Sequence, residues 1–201
     1  MNNRSLTWAS GPSNSTFMPL TLIGYRATGK TTLAKLLAER FGCPWADSDD
    51  EIERSAGKTI AAIFAEDGEP AFRELEARAI ADLCRRDPLI LATGGGAPLL
   101  PENRRAMREA GRVIWLRAES ATIHARMIND ESTAARRPPL SDSPPMREIV
   151  RLLEARTPIY EQTADIAIDT DGFTPEELAD TIVASLHSDK NLNSGIPNSG
   201  N

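Results

Sequence analysis

One stretch, residues 19–32, constrains the fold more than any other part of the chain. Its apolar run Leu20–Ile23 has the length and composition of a buried strand, and the pattern G-x-x-x-x-G-K-T follows directly at residues 24–31. Apolar residues then recur at helical spacing until Gly42, a residue type that often ends a helix. A strand, a glycine loop and a helix in this order predict a phosphate-binding loop, or P-loop; the alternative is an ordinary glycine turn before a helix.

The residue types in this loop suit nucleotide phosphates. Gly24 and Gly29 let the backbone wrap a phosphate without a Cβ in the way, and the helix that follows adds free N–H groups and its positive dipole end. Lys30 supplies a mobile positive charge, and the Thr31 hydroxyl can complete the shell of a Mg²⁺ ion. The sequence therefore predicts that ATP binds at Gly24, Ala27, Thr28, Gly29, Lys30, Thr31 and Thr32.

Composition and charge narrow the classes of partner. The chain of 201 residues has a formal net charge of −6 and a pI near 5.1, which argues against nucleic acid as the main partner. All but four of its 23 basic residues are Arg, whose planar guanidinium grips carboxylates and phosphates through paired hydrogen bonds. No apolar run is long enough to cross a membrane, and two distant cysteines, Cys43 and Cys84, fit a reducing compartment. We expect a cytoplasmic monomer that binds small anionic ligands and neither nucleic acid nor a membrane.

Strand and helix patterns alternate along the chain, as they do in a parallel sheet with helices on both faces. The expected fold is an α/β protein of three layers, α/β/α, around a central parallel sheet of about five strands, with ligands at the carboxyl ends of the strands. The predicted strands lie at residues 20–23, 44–47, 89–92, 113–116 and 166–168.

The chain is predicted to form a single domain over residues 18–187. The flanking segments, 1–17 and 188–201, are polar, and we expect them to be disordered, with Met18 as a possible alternative start. Residues 129–146 contain four prolines and no apolar periodicity. A loop of this length in an α/β domain is often a lid over the active site.

Two acidic residues follow the second predicted strand, at the sheet edge where the P-loop also lies. Asp47 and Asp49 are two positions apart, so their side chains point the same way if the segment is extended. One carboxylate would suit Mg²⁺ and the other an acceptor hydroxyl. The alternative is that the acids cap the next helix, whose dipole favours negative charge, and Ser48 and Glu51 have the spacing of a capping box.

Three further clusters contain residue types that bind anions. Arg73 and Glu76 are neighbours on a predicted helix, where the carboxylate can aim the guanidinium; a surface ion pair is the alternative. The three glycines at residues 94–96 allow close approach of a ligand to the backbone, although a tight turn would also use glycine. Arg137, in the predicted lid, would stabilise a transferring phosphoryl group on closure; solvated linker charge is the alternative.

These motifs, taken in order, resemble the shikimate kinase family over about residues 20–186. The P-loop is shared with many proteins, whereas its combination with the other motifs is specific. Two positions depart from the family pattern: Ala27, where glycine is more common, and Pro139, inserted into the lid motif, which leaves the register of the lid open. The matching motifs are the P-loop, Asp47-Ser-Asp49, Phe72-Arg73-x-x-Glu76, Gly94-Gly-Gly96, Arg137-Pro and Arg156-x-Pro158-x-Tyr160.

The resemblance implies a P-loop kinase with a lid that transfers the γ-phosphate of ATP, with Mg²⁺, to the 3-hydroxyl of shikimate. It implies that Arg73 and Arg156 hold the substrate carboxylate, that Glu76 orients Arg73, and that Asp49 holds the ring hydroxyls and acts as base or orienter. The backbone of the substrate pocket would come from Gly94, Gly95 and Gly96.

The resemblance also assigns the donor side. Thr31 and Asp47 would hold Mg²⁺, while Lys30 and Arg137 would stabilise the transferring phosphoryl group. Arg126 and residues 169–175 resemble an adenine-stacking pair, although Arg126 alone would also fit a surface position. The catalytic residues would then be Lys30, Asp49 and Arg137.

Two other functions fit parts of the pattern. One alternative is a kinase of the same class that phosphorylates another sugar acid, such as gluconate, because that acceptor also carries a carboxylate. A regulatory module with a kinase fold would bind nucleotide without turnover, but such a protein is expected to have lost Lys30, Asp49 or the lid arginine, and all three are retained.

Overall fold

Five short strands form one parallel sheet. The structure is a computed structural model that describes residues 18–129 and 145–193. Numbered along the chain, the strands are β1 Leu20–Ile23, β2 Trp45–Asp47, β3 Ile90–Ala92, β4 Arg112–Arg117 and β5 Ile166–Asp169. They lie in the sheet in the order β2-β3-β1-β4-β5, and every neighbouring pair is parallel. The predicted parallel sheet of about five strands is confirmed.

Helices cover both faces of this sheet. In the described ranges they are α1 Lys30–Phe41, α2 Ser48–Ala56, α3 Ile60–Glu66, α4 Gly68–Leu83, α5 Pro101–Ala110, α6 Ser120–Asn129, α7 Pro145–Thr163 and α8 Pro175–Asn193, with a 3₁₀ turn at Ala97–Leu99. Helices α1 and α8 pack on one face, and α4, α5 and α7 pack on the other. The predicted three-layer α/β/α architecture is therefore confirmed.

The central strand β1 shows why its sequence reads as a mostly apolar run. Leu20 and Leu22 point into the core with α1 and α8, whereas Ile23 joins the core on the opposite face with Met107 and Tyr160. Successive side chains of a strand alternate between faces, so a strand covered on both faces is mostly apolar. This strand delivers the P-loop to the carboxyl edge of the sheet.

Several element boundaries differ from those predicted. Strands β2 and β3 begin one residue later than predicted, and α7 begins at Pro145, inside residues 129–146, which were predicted to form a loop. Helix α8 continues to Asn193, past residue 188, where a disordered tail was expected to start. The predicted lid at residues 129–146 lies almost entirely outside the described residues, and Arg137 and Pro139 lie there with it.

The predicted capping box at Ser48 is wrong. Asp47 occupies the N-cap position of α2, and its Oδ1 accepts a hydrogen bond from the backbone N–H of Asp49 at 2.9 Å. Ser48 is the first helical residue, and its buried hydroxyl accepts the N–H of Gly94 at 2.9 Å instead. The serine is thus used to fix the loop after β3, a contact between segments 46 residues apart.

None of the helices in the described ranges is long and apolar enough to cross a membrane.

Candidate active site

The candidate site lies at the carboxyl ends of β1, β2 and β3, which are neighbours in the sheet. The P-loop leaves β1, Asp47 and Asp49 leave β2, and the three glycines leave β3. Because all strands are parallel, these three segments meet at one edge of the sheet, the edge at which α/β proteins bind ligands. Helices α4 and α7 contribute further side chains to the site.

The P-loop closes around its own lysine. The ammonium group of Lys30 donates hydrogen bonds to the carbonyl oxygens of Gly24 at 2.9 Å and Tyr25 at 2.6 Å. The hydroxyl of Thr28 donates to the same Tyr25 oxygen at 2.8 Å. Two loop carbonyl groups therefore hold the lysine, and the first N–H groups of α1, which have no carbonyl partner within the helix, suit an anion.

Gly24 is required at its position. Its φ is +140°, and a Cβ there would lie 2.4 Å from the carbonyl oxygen of Leu116 on β4. Ala27 adopts a left-handed φ of +60°, the only non-glycine residue of the described ranges with a positive φ. An L-residue with a Cβ is strained in this region. The departure from glycine at Ala27 therefore keeps the backbone shape of the loop at a cost in conformational energy.

Thr31 and Asp47 are in direct contact. The Thr31 hydroxyl donates to Oδ2 of Asp47 at 2.7 Å, while Oδ1 of the same carboxylate caps α2. Burial raises the pKa of Asp47, partly offset by the Thr31 hydrogen bond, and the charge of Asp49 raises it further. A desolvated carboxylate beside a hydroxyl and a second carboxylate favours a nearby cation, so these residues fit Mg²⁺.

Within the described residues, no group of three or more His, Cys, Asp and Glu side chains gathers as a metal site. Mg²⁺ in phosphate-transfer sites is typically held by one or two protein ligands together with substrate phosphates and water, and the pair Thr31 and Asp47 stays a prediction for that ion.

Arg73 is clamped by two carboxylates. Its Nη1 donates to Oε2 of the fully buried Glu76 at 2.7 Å, and its Nε and Nη2 donate to Oε1 of Glu69 at 3.2 and 3.0 Å. Burial lowers the pKa of Arg73, but Glu76 and Glu69 together outweigh that effect, so the pKa is raised. The pair is therefore more than a surface ion pair: a buried carboxylate holds a charged guanidinium in one place.

The glycine turn after β3 joins the two sides of the site. A Cβ on Gly95 would lie 3.3 Å from both the Gly24 carbonyl oxygen and the Arg26 nitrogen, so Gly95 packs on the P-loop. A Cβ on Gly96 would lie 2.9 Å from Nη1 of Arg73, so the next residue packs on that guanidinium. Gly95 and Gly96 thus allow this backbone to pass between the P-loop and an arginine.

Helix α7 reaches the same turn. The Tyr160 hydroxyl donates to the Gly95 carbonyl oxygen at 2.6 Å, and Nη1 of Arg156 donates to the same atom at 3.4 Å. The structure therefore brings together Arg73, Glu76, Arg156 and the three glycines, as predicted for an acceptor pocket. Asp49 lies in the first turn of α2, next to Asp47.

A cavity borders the P-loop on the side of α8. Its volume is about 240 Å³, and Arg126, Phe173 and Pro175 lie along it together with the loop residues Ala27, Thr28, Gly29 and Thr32. Arg126 donates to the Thr170 hydroxyl at 3.0 Å and carbonyl at 2.9 Å, and to the Ala27 carbonyl at 3.4 Å. Arg126 and the loop after β5 are thus brought together, as predicted for the base of a nucleotide.

Some contacts of the site were not found from the sequence. Glu69 lies one helical turn before Arg73, a spacing that would have indicated it. The hydrogen bond of Ser48 to Gly94 and that of Tyr160 to Gly95 join segments distant in sequence, and no local pattern predicts them.

The parallel sheet, the P-loop, and the carboxylates and arginines at adjacent strand ends define a P-loop phosphotransferase. The family model described as Shikimate kinase matches residues 26–187. The chain belongs to the shikimate kinase family.

Individual relatives agree with this assignment. The chain is 40% identical over 169 residues to a shikimate kinase of Rhodopirellula baltica, covering 84% of this chain and 90% of the relative. It is 42% identical over 167 residues to a shikimate kinase of Pseudomonas savastanoi pv. phaseolicola, covering 83% of this chain and 95% of that relative.

Solved structures agree as well. A shikimate kinase from Acinetobacter baumannii in complex with shikimate has a TM-score of 0.82 and 35% identity, covering 87% of this chain and 96% of that one. A gluconokinase from Sinorhizobium meliloti, at 18% identity and a TM-score of 0.58, shares the fold alone.

Proposed function

We propose that this protein transfers the γ-phosphate of ATP to the 3-hydroxyl of shikimate, giving shikimate 3-phosphate and ADP. Membership of the shikimate kinase family supports the reaction, and the similar Acinetobacter baumannii structure contains shikimate. The reaction needs a phosphate cradle, neutralisation of charge and an oriented acceptor hydroxyl.

The observation that carries the proposal is the position of the glycine turn. Gly95 touches the P-loop, while Gly95 and Gly96 contact Arg156 and Arg73 respectively. Two guanidiniums that contact successive residues of the turn suit a carboxylate, because a carboxylate accepts paired hydrogen bonds from arginine. An acceptor anchored there lies beside the phosphates of the donor, as in-line transfer requires.

On the donor side, Lys30 and the N-terminus of α1 supply positive charge. In this structure two carbonyl oxygens of the loop hold the lysine, which supports a role for its charge at the donor phosphates. Charge that is placed before the reaction stabilises a transition state without further reorganisation. We assign Lys30 and Arg137 to the transferring phosphoryl group, and Arg126 to the adenine base.

Thr31 and Asp47 are the residues that would hold Mg²⁺. When bound, the ion would neutralise charge on the donor phosphates. Asp47 also caps α2, and this fixes the carboxylate at the end of β2. The second acid, Asp49, is then assigned to the acceptor hydroxyl, as a base or as the residue that orients it.

The proposal is tested by ADP release from ATP and Mg²⁺ with shikimate, quinate, gluconate or no acceptor. We expect turnover with shikimate well above that with the other acceptors. Faster turnover with gluconate would change the acceptor, and nucleotide binding without acceptor-dependent turnover would favour a regulatory module. We further propose that the protein acts as a monomer in the cytoplasm, which size-exclusion chromatography and cell fractionation would check.

A further inference from the structure

A buried ion pair joins the P-loop to α7. Nη2 of Arg26 donates to Oε1 of Glu148 at 3.1 Å, between residues 122 positions apart. The Glu148 side chain is 3% exposed and that of Arg26 is 19% exposed. A carboxylate this deeply buried needs a positive partner, and here the partner is a P-loop side chain. The proposed phosphate chemistry does not use this pair.

Two guanidiniums lie near the Tyr25 ring. Cζ of Arg26 is 5.7 Å from the ring centroid, and Cζ of Arg156 is 5.6 Å from it. The ring is 2% exposed and packs against Ile123 of α6 and Ile149 of α7. Burial raises the pKa of Tyr25, and the positive charges of Arg26 and Arg156 oppose that rise. Both guanidiniums are therefore close to the Tyr25 hydroxyl group as well as to its ring.

Arg156 depends on this arrangement for its position. Its hydrogen bond to Gly95, at 3.4 Å, is at the long end of the range and constrains the guanidinium weakly. Contact with an aromatic face constrains it further. The Tyr25 ring in turn is held where the P-loop meets α7, and the Arg26–Glu148 pair ties these two elements together.

We propose that Arg26 and Glu148 are positioning residues for the acceptor. The pair holds the Tyr25 ring against α7, and the ring holds Arg156 at the glycine turn, ready for the acceptor carboxylate. The charges agree with this role. Glu148 offsets the positive charge of Arg26. Of the two guanidiniums near the ring, Arg156 is therefore the one assigned to the substrate carboxylate. This inference rests on the proposed function, because it takes shikimate as the acceptor.

The test compares Arg26→Met, Glu148→Gln and the double variant with the wild type. A guanidinium displaced by about 1 Å weakens substrate orientation, so we expect KM for shikimate to rise about tenfold. We expect kcat and KM for ATP to change by less than about threefold, since the Arg26 side chain faces α7 and the loop backbone is retained. The double variant should be no worse than the worse single variant, because each change breaks the same pair.

The controls separate positioning from stability. Glu154→Gln removes an exposed carboxylate from the same helix and should leave both KM values unchanged. The double variant leaves no buried carboxylate unpaired, so it should fold even if Arg26→Met does not. A lower melting temperature with an unchanged KM for shikimate would overturn the proposal, as would effects that add in the double variant or an equal rise in KM for ATP.

Calorimetric titration with shikimate distinguishes this inference from the proposed reaction. A wild-type protein that binds shikimate without turning it over would contradict the reaction, and its affinity would still report on the pair through the same three variants. A wild-type protein that does not bind shikimate would overturn both proposals.

Discussion

The donor side and the acceptor side of the site are built in different ways. The phosphate-binding part of the donor side is one continuous segment, the P-loop, in which Lys30 bonds to carbonyl groups five and six residues away and glycines shape the backbone. The acceptor side is assembled from α2, α4, α7 and the turn after β3, through side chains that meet only in the folded protein. A local motif can therefore specify phosphate binding, whereas acceptor choice depends on the tertiary structure.

The largest effect is expected on the donor side. Lys30→Ala removes a charge placed for the phosphoryl group, and we expect kcat to fall at least about 100- to 1,000-fold. The domain should stay folded, because Lys30 serves charge placement more than core packing. Turnover is measured as ADP release and folding by circular dichroism. Lys35→Ala, at an exposed position of α1, is the control, and near-normal turnover of the Lys30 variant would remove the P-loop from the mechanism.

Asp49→Asn should separate the two sides. Loss of the base or orienter should lower kcat about 100-fold. ATP affinity, measured by calorimetry with Mg²⁺, should stay near the wild-type value, since Asp49 is assigned to the acceptor. A large loss of nucleotide binding would instead place Asp49 with the metal and merge the two sides.

Glu76→Gln should weaken the acceptor side alone. Glutamine keeps the shape of the buried side chain but loses the charge that holds Arg73, so we expect KM for shikimate to rise about tenfold. KM for ATP should not change. Glu74→Gln, on the exposed face of the same helix, is the matched control. Parallel changes in both KM values would show that the two sides are not separable here.

Ala27→Gly should have the smallest effect, confined to the donor loop. Glycine relieves the left-handed strain at φ +60°, partly offset by greater freedom of the unfolded chain. We expect the free energy of unfolding to rise by about 0.5 kcal/mol, which thermal denaturation would detect as a shift of about 1–2 °C. Ala121→Gly, in the exposed part of α6, should shift stability in the opposite direction. Destabilisation by both variants would mean that the loop tolerates Ala27 without strain.

Much of the fold could be predicted from the sequence because its signals are local. The five strands are short apolar runs, and Gly42 ends α1 in a left-handed conformation, as its position indicated. A capping box of Thr174 and Glu177 at the start of α8 is another such local pattern, with hydrogen bonds of 2.8 and 3.2 Å. Caps, turns and apolar periods depend on a few neighbouring residues, and such patterns are visible in one sequence.

The candidate site was less accessible to sequence reasoning. Arg73 and Glu76 could be paired by helical spacing, but the complete burial of Glu76 could not be predicted from spacing. Ser48 has the pattern of a cap, yet its hydroxyl accepts a hydrogen bond from the Gly94 N–H. Only the folded sheet brings these two residues together. Tyr25 occupies a variable position of the P-loop, and no sequence pattern indicated the contacts of Tyr25 or Glu148. Contacts between distant segments outweighed local preference at each of these residues.

The glycine turn between the two sides has a consequence for how such enzymes can diverge. A bare peptide chain, with no side chain on either face, is the spacer between the P-loop and Arg73. Its thickness is set by covalent geometry: a Cβ at residue 95 would press on the P-loop backbone at 3.3 Å, and a Cβ at residue 96 would displace the Arg73 guanidinium at 2.9 Å. A lineage that changed its acceptor would have to remodel the outer wall of the pocket, on α2, α4 and α7, and leave this partition intact.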